Sequence, residues 1–436
     1  MSANLPLTRL QRAYVVGRHP DYPWGGLAAH DHRVYRGPLD VERFRAAWRA
    51  ALTRHDMLRA VVDPDRAALV ILPVAPHDGV VVHDLRAAGP EAAARVAERL
   101  SHELRPLDRW PLVGIEICLM PDEDRHELHV SFDATVIDLA SWWTLLDEVT
   151  ADYLDPGSAP EPPAVTWREH ETLRATREKP VTPPSLPPPP PVPANHTAPP
   201  RVEISHSVLD AEDWDALRAA FRARRVGETP AVLAVLAQIV AAWRECTSFT
   251  ASVPRSHRVP YHPDVARLVG PLSTISLVPF DVRAAGSITD LAAVTQRTLW
   301  TELSAPEADG MVAVEAFSAR HGMAAPVVFT SLLGTGDPAR PVLGGMVADA
   351  VHTQNAQVAL DIRFDLPAGA LHLAWHERAE VFEPDEVAGV AAVTERVLLG
   401  LASGELDLDG PAAEVRAVVA RLLAEIHELT MTIGET

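Results

Sequence analysis

The alternation of apolar and polar side chains is sharpest from His126 to Leu154, HELHVSFDATVIDLASWWTLLDEVTADYL. Leu128, Val130 and Phe132 take one side of its first half, and His129, Ser131 and Asp133 take the other. That is the period of a half-buried strand. In the second half, apolar residues recur at Leu139, Trp142, Leu146, Val149 and Tyr153, the period of a helix lying on a core. The crossing between them, DATVID, carries an acid at each end, Asp133 and Asp138. Asp138 stands where an N-cap accepts a hydrogen bond from the first turn, and Asp133 stands where a strand ends in solvent. The same two carboxylates also suit proton-transfer chemistry.

Patterning on either side predicts a mixed α/β chain. Before the crossing it gives a strand over 30–35 and a helix capped by Asp40, with Val41, Phe44, Trp48, Ala51 and Leu52 on one face. A second amphipathic helix covers 90–104, and a strand covers 112–119. The later part begins with a strand over 201–209 and a helix over 210–224, followed by an apolar run over 230–243. Thr229-Pro230 supplies that run with an N-cap and a first-turn proline. Further strands start at Thr274 and cover 326–334, 355–364 and 371–375, with helices over 289–320 and 385–401. On 355–364, Val358, Leu360 and Ile362 face one way, and Gln357, Asp361 and Arg363 face the other.

About half the residues from Lys179 to Pro200 are proline. Such a run forms neither ladder nor helix and favours an extended polyproline conformation. It reads as a linker, 179–200, between a lobe over 1–178 and a lobe over 201–436. A length of 436 residues also exceeds what one hydrophobic core usually holds together.

Composition narrows the function. Apolar residues make up 47%, which excludes global disorder. The run over 230–243 is interrupted by Gln238 and is too short to cross a bilayer, so it is expected as a buried core helix. The opening MSANLPLTRLQRAY has no apolar centre of a signal peptide, which points to the cytoplasm. A net charge of −20 argues against nucleic acid and anionic membranes as partners. Two cysteines, Cys118 and Cys246, are too few for a disulfide framework or a cysteine-based metal site, and the nineteen histidines show no ligand spacing. There is no glycine-rich nucleotide loop, no HExxH and no GxSxG elbow.

Read in order, several segments resemble the condensation-domain superfamily of nonribosomal peptide synthetases, and within it the heterocyclization branch. They are LTRLQRAYVVGRHPDYPWGGLAAH, RHDMLRAVV, SFDATVIDLASWW, HPDVARLVG, PVVFTS and QVALD. Amide-forming members of the superfamily carry HHxxxDG, with a catalytic second histidine. Here that position is Ala134, and the acids Asp133 and Asp138 match the DxxxxD form of the heterocyclization branch. Alanine can neither take nor give a proton.

The resemblance implies two chloramphenicol-acetyltransferase-like lobes of α/β (α+β) class, joined in a V-shaped pseudo-dimer. It implies an enzyme that binds no cofactor of its own and takes its substrates from phosphopantetheine arms. Its partners would be donor and acceptor peptidyl carrier proteins and other synthetase subunits. The reaction would join an acyl donor to Cys, Ser or Thr and then cyclodehydrate the product to a thiazoline or oxazoline. Thr330 and Asp361 match the family's dehydrating pair, with Asp133 also at the site. Asp138 is implied to be architectural and to pair with Arg59. An acyltransferase giving an open amide or ester, and a non-catalytic scaffold that docks carrier proteins, are the competing readings. The chain departs from the family at Pro271, where an acid is common, and at His376 after Trp375. Whether it is a free-standing protein or an excised domain stays open at this point.

Overall fold

The computed structural model describes residues 4–88, 90–193 and 200–434. The chain divides into two compact units. The first comprises Met1–Lys179, Ser256–Thr274 and Ala339–Ala356, and the second comprises Pro180–Arg255, Ile275–Pro338 and Gln357–Thr436. Neither unit is contiguous in sequence, because two excursions from the later half pack with the first unit.

The first unit is built on two antiparallel partners, β2 (His30–Gly37) and β7 (His126–Asp133). β6 (Val113–Leu119) pairs antiparallel with β7, and β5 (Val80–Asp84) pairs parallel with β6. The other edge is β12 (Val347–Gln354), which pairs antiparallel with β2 and completes the order β12-β2-β7-β6-β5. A small sheet of β1 (Leu5–Pro6), β4 (Ala68–Ile71) and β3 (Ala60–Asp63) lies in the same unit.

One face of the larger sheet is the apolar stripe that the alternation predicts. Leu128, Val130 and Phe132 join Trp142, Leu145, Leu146 and Val149 of helix Leu139–Leu154 in one core, together with Phe44, Trp48 and Leu52 of helix Val41–Arg54. Asp40 caps the latter helix as expected, accepting from the amides of Glu42 and Arg43. Leu268, Val269 and Leu272 from the first excursion, and Val342, Leu343 and Met346 from around the second, enter the same core. Their burial is what draws these segments into the first unit.

The second unit holds β8 (Val202–Leu209), β11 (Val327–Ser331), β13 (Leu360–Asp365), β14 (Leu371–Arg378), and all but the last residue of β9 (Ser248–Ser256) and the first two of β10 (Ser273–Asp281). Their order is β10-β9-β11-β13-β14-β8. β9, β11 and β13 run parallel, and β14 and β8 continue the sheet antiparallel. Helix Glu228–Trp243 is buried along nearly its whole length, which accounts for its apolar run. It opens with Gly227 as N-cap, two residues ahead of the expected Thr229, and Gly227 gives no side-chain cap. No single helix among the described residues is long and apolar enough to cross a membrane.

The described part of the proline run belongs to the second unit and is fastened there through its carbonyls, the only backbone hydrogen-bonding group a proline retains. Thr250 donates its amide to the Pro188 carbonyl at 3.0 Å and its hydroxyl to the Pro187 carbonyl at 2.7 Å. Arg244 Nε reaches the Pro191 carbonyl at 2.7 Å. Residues 194–199 of the run lie outside the described residues.

One buried carboxyl in this unit sets an expected pH dependence. Glu377 on β14 lies opposite Glu203 on β8 and is 8% exposed. Burial, and then the charges of Glu203, Glu386 and Asp385, push its carboxyl up to about 8. A carboxyl raised in the fold favours folding below its unfolded value of about 4.3, and that contribution is lost as pH rises through about 8. Glu377→Gln should therefore flatten the fall in thermal stability between about pH 4.3 and about pH 8. An unchanged pH profile would contradict this assignment.

Candidate functional site

The parallel pairing of β11 with β13 places Val328 beside Asp361 and Thr330 beside Arg363. Leu360, Ile362 and Phe364 on β13 are fully buried on one face. The alternation therefore turns Asp361 and Arg363 to the opposite face, as the sequence predicts. Both are buried as well, at 4% and 9% exposure, so this is no solvated strand edge. Thr330 Oγ1 donates to Asp361 Oδ1 at 2.7 Å. Arg363 Nη1 lies 3.8 Å from Asp361 Oδ2. Across the antiparallel ladder, Asp361 faces His376, which is also buried. Ser331, next along β11, shares a hydrogen bond of 2.8 Å with Thr229 at the start of helix Glu228–Trp243. The result is a carboxylate that accepts from a hydroxyl and has a guanidinium within range. Such a group can exchange a proton with a substrate.

The expected pair of Asp138 and Arg59 does not form. Asp138 pairs instead with Arg258, in the first excursion. Arg258 Nη1 and Nη2 reach Asp138 Oδ2 and Oδ1 at 2.9 and 2.8 Å, the fork geometry that suits a guanidinium to a carboxylate. Ser273 donates to Asp138 Oδ2 at 3.0 Å, and the Ser141 amide donates to Oδ1 at 2.8 Å, so Asp138 also caps helix Leu139–Leu154. Burial alone would raise this carboxyl. The Arg258 charge and the hydrogen bonds from Arg258 and Ser141 outweigh burial and hold it below the ordinary range.

Arg59 serves the end of the preceding helix. It donates to the carbonyls of Leu52, Thr53, His55 and Leu72. The last carbonyls of a helix have no partner within it and attract a cation, and this competes successfully for Arg59. The signal for Arg258 in sequence was only its place in the turn-rich stretch before HPDVARLVG, which no periodicity marks.

Asp138, Ser141 and Gly270 lock this junction further. Ser141 Oγ donates to the Gly270 carbonyl at 2.8 Å and accepts from the Gly270 amide at 3.0 Å. A Cβ on Gly270 would meet the Trp167 ring carbons at 2.6 Å. Gly270→Ala should cost about 1–3 kcal/mol by overpacking, measured by denaturant unfolding. A neutral substitution would show that Trp167 moves aside freely.

Asp133 ends β7 with both oxygens engaged. Arg18 Nη1 lies 2.5 Å from Oδ2, and the Thr135 amide and hydroxyl donate to Oδ1 at 2.9 and 2.6 Å. Arg18 also donates to the Arg105 carbonyl, and Arg105 Nη2 donates to Ser131 Oγ at 2.7 Å. Asp133 thus fixes the crossing and the opening helix Arg9–Gly17, whose Gln11 donates to the Thr135 carbonyl at 2.7 Å. Sequence reasoning missed that helix and Arg18. Thr330 and Asp361 belong to the second unit, and Asp133, Asp138 and Arg59 belong to the first.

No family model matches the chain. The chain is 32% identical over 407 residues to the pyochelin synthetase PchF of Pseudomonas aeruginosa, covering 86% of this chain and 22% of that protein. It is 30% identical over 450 residues to the phenyloxazoline synthase MbtB of Mycobacterium tuberculosis, covering 96% of this chain and 31% of the relative. The chain therefore spans about a fifth to a third of the length of these curated relatives. Among solved structures, the cyclization-docking bidomain of EpoB from Sorangium cellulosum matches with a TM-score of 0.79 and 25% identity, over 94% of this chain and 86% of that one. The first condensation domain of the calcium-dependent antibiotic synthetase shares the fold, with a TM-score of 0.72 and 18% identity over 94% of this chain and 98% of that one.

Proposed function

Because the chain belongs to the condensation and heterocyclization domains of nonribosomal peptide synthetases, we propose that it forms an amide between two carrier-bound substrates and then cyclodehydrates it. The donor is an acyl thioester. The acceptor is a Cys, Ser or Thr thioester, and the product is a thiazoline or oxazoline. Both substrates arrive on phosphopantetheine arms of carrier proteins, within an assembly of synthetase subunits.

The observation that carries the reading is the buried hydrogen bond from Thr330 to Asp361. In the first step the acceptor amine attacks the donor thioester, a C–N bond forms, and the donor arm leaves as a thiol. This step needs mostly positioning. In the second, the side-chain thiol or hydroxyl adds to the new amide carbon, giving a tetrahedral adduct with one hydroxyl. Loss of water requires a proton at that hydroxyl and removal of one from nitrogen. Asp361 takes the second proton and delivers the first, so its charge is restored at the end. Thr330 holds Oδ1 in place, and the Arg363 guanidinium lies 3.8 Å from Oδ2. Asp133 keeps the DATVID crossing of the first unit in shape.

Mass spectrometry of the acceptor carrier after incubation with both loaded carriers tests the proposal. Condensation followed by loss of one water supports it. An open amide alone identifies an acyltransferase without ring closure, and absence of transfer identifies a docking scaffold. Either result would overturn the proposal.

A further inference from the structure

The polar face of the five-stranded sheet in the first unit carries a group of donors that no linear spacing reveals. Antiparallel register sets Cys118 on β6 opposite Glu127 on β7, and Glu116 opposite His129. Cys118 Sγ, a Glu127 carboxylate oxygen and a His129 ring nitrogen all lie within 4.8 Å of one another. Cys118 and His129 are fully buried, and Glu127 is 7% exposed. His129 is held from both sides. One ring nitrogen lies 3.2 Å from Glu127 Oε2, and the other lies 3.2 Å from Nε2 of His32, whose ring stacks on it. His32 Nδ1 in turn lies 3.0 Å from Ser101 Oγ. Glu127 Oε1 is taken by Arg36 at 2.8 Å, which leaves Oε2 for the His129 side.

This is the donor chemistry of a zinc-class ion: a soft sulfur, an imidazole and a carboxylate. A thiolate and a carboxylate together neutralise a divalent cation, the condition for placing an ion in a dry interior. His32 stands where an imidazole bound through one nitrogen needs a partner for the other. A cavity of about 450 Å³ has Glu127, Arg36 and Met120 in its wall and so reaches one of the three donors.

We propose that Cys118, Glu127 and His129 bind a divalent transition metal, with a water oxygen as fourth ligand, tying β6 to β7. On binding, the Cys118 S–H bond breaks and a sulfur–metal bond forms. The thiol proton passes to solvent, the hydrogen between His129 Nε2 and Glu127 Oε2 moves to His129 Nδ1, which donates to His32 Nε2, and the freed Nε2 and Oε2 each form a bond to the metal. Ligand bonds of about 2.0–2.3 Å in a tetrahedron require the donors to close by roughly 1 Å, within reach of side-chain rotation.

The test is a titration of the full chain, stripped of metal, with Co²⁺ and then Zn²⁺. We expect one Co²⁺ per chain with thiolate-to-cobalt charge-transfer absorption, displaced by Zn²⁺. The absorption is lost in Cys118→Ser. His32→Ala should weaken Zn²⁺ binding by about 10–100-fold. Because Cys118 and Cys246 are the only cysteines, absorption that survives in Cys246→Ser assigns the sulfur to Cys118 even where Cys118→Ser fails to fold. Absence of the charge-transfer band in the folded wild type, or its loss in Cys246→Ser, would overturn the proposal.

Discussion

Asp361→Asn is expected to release the uncyclized amide in place of the ring. The substitution keeps the shape of the side chain and an acceptor oxygen for Thr330, whose hydroxyl lies 2.7 Å from the native carboxylate. It removes the group that titrates. Amide formation depends on positioning and should be largely preserved. Ring formation should slow by ~10²–10⁴-fold, the range for loss of one general acid–base group. Thr330→Val keeps volume and removes the hydroxyl, so it should show a milder form of the same split. Open and dehydrated products on the acceptor carrier, resolved over time by mass spectrometry, report the two rates separately. Equal loss of both products in a folded Asp361→Asn protein would show that the residue does not divide the steps.

The second large effect is on stability. Asp138→Ala leaves Arg258 beside a site built for a carboxylate, and breaking one side of a buried ion pair costs ~3–5 kcal/mol. The variant also loses the side-chain cap of helix Leu139–Leu154. Asp138 is held below the ordinary carboxylate range in the fold, so its contribution is present above the unfolded value of about 3.9 and is lost as pH falls through the folded value. The double variant Asp138→Ala with Arg258→Leu should recover part of the loss, because it also removes the uncompensated cation. Denaturant unfolding of the wild type, both single variants and the double variant checks this. A single variant costing under about 1 kcal/mol would show that the pair carries no weight.

Much of this architecture is legible in the chain because burial imposes a period. The stripe of Leu128, Val130 and Phe132, and the helix from Leu139, are both where the alternation places them. Asp361 and Arg363 share the polar side of β13 as expected, and Thr330 donates a hydrogen bond to Asp361. What periodicity cannot carry is pairing between segments far apart in sequence. β12 is half-exposed, has no clean alternation, and becomes an edge strand only through its ladder to β2. Arg258 sits in an irregular stretch, and only folding brings it to Asp138, whereas Arg59 had a nearer set of helix-end carbonyls to satisfy. Cys118, Glu127 and His129 are likewise assembled by cross-strand register, which spacing along one strand does not encode.

The most direct measurement of the dehydrating role separates ring closure from everything before it. An acceptor carrier loaded with the preformed open amide is given to the wild-type protein with no donor carrier present. The proposed roles of Asp361 and Thr330 predict that the wild type converts it to the ring with loss of one water, and that Asp361→Asn leaves it open. An open amide that persists with the wild type, or ring closure by Asp361→Asn at the wild-type rate, would contradict those roles.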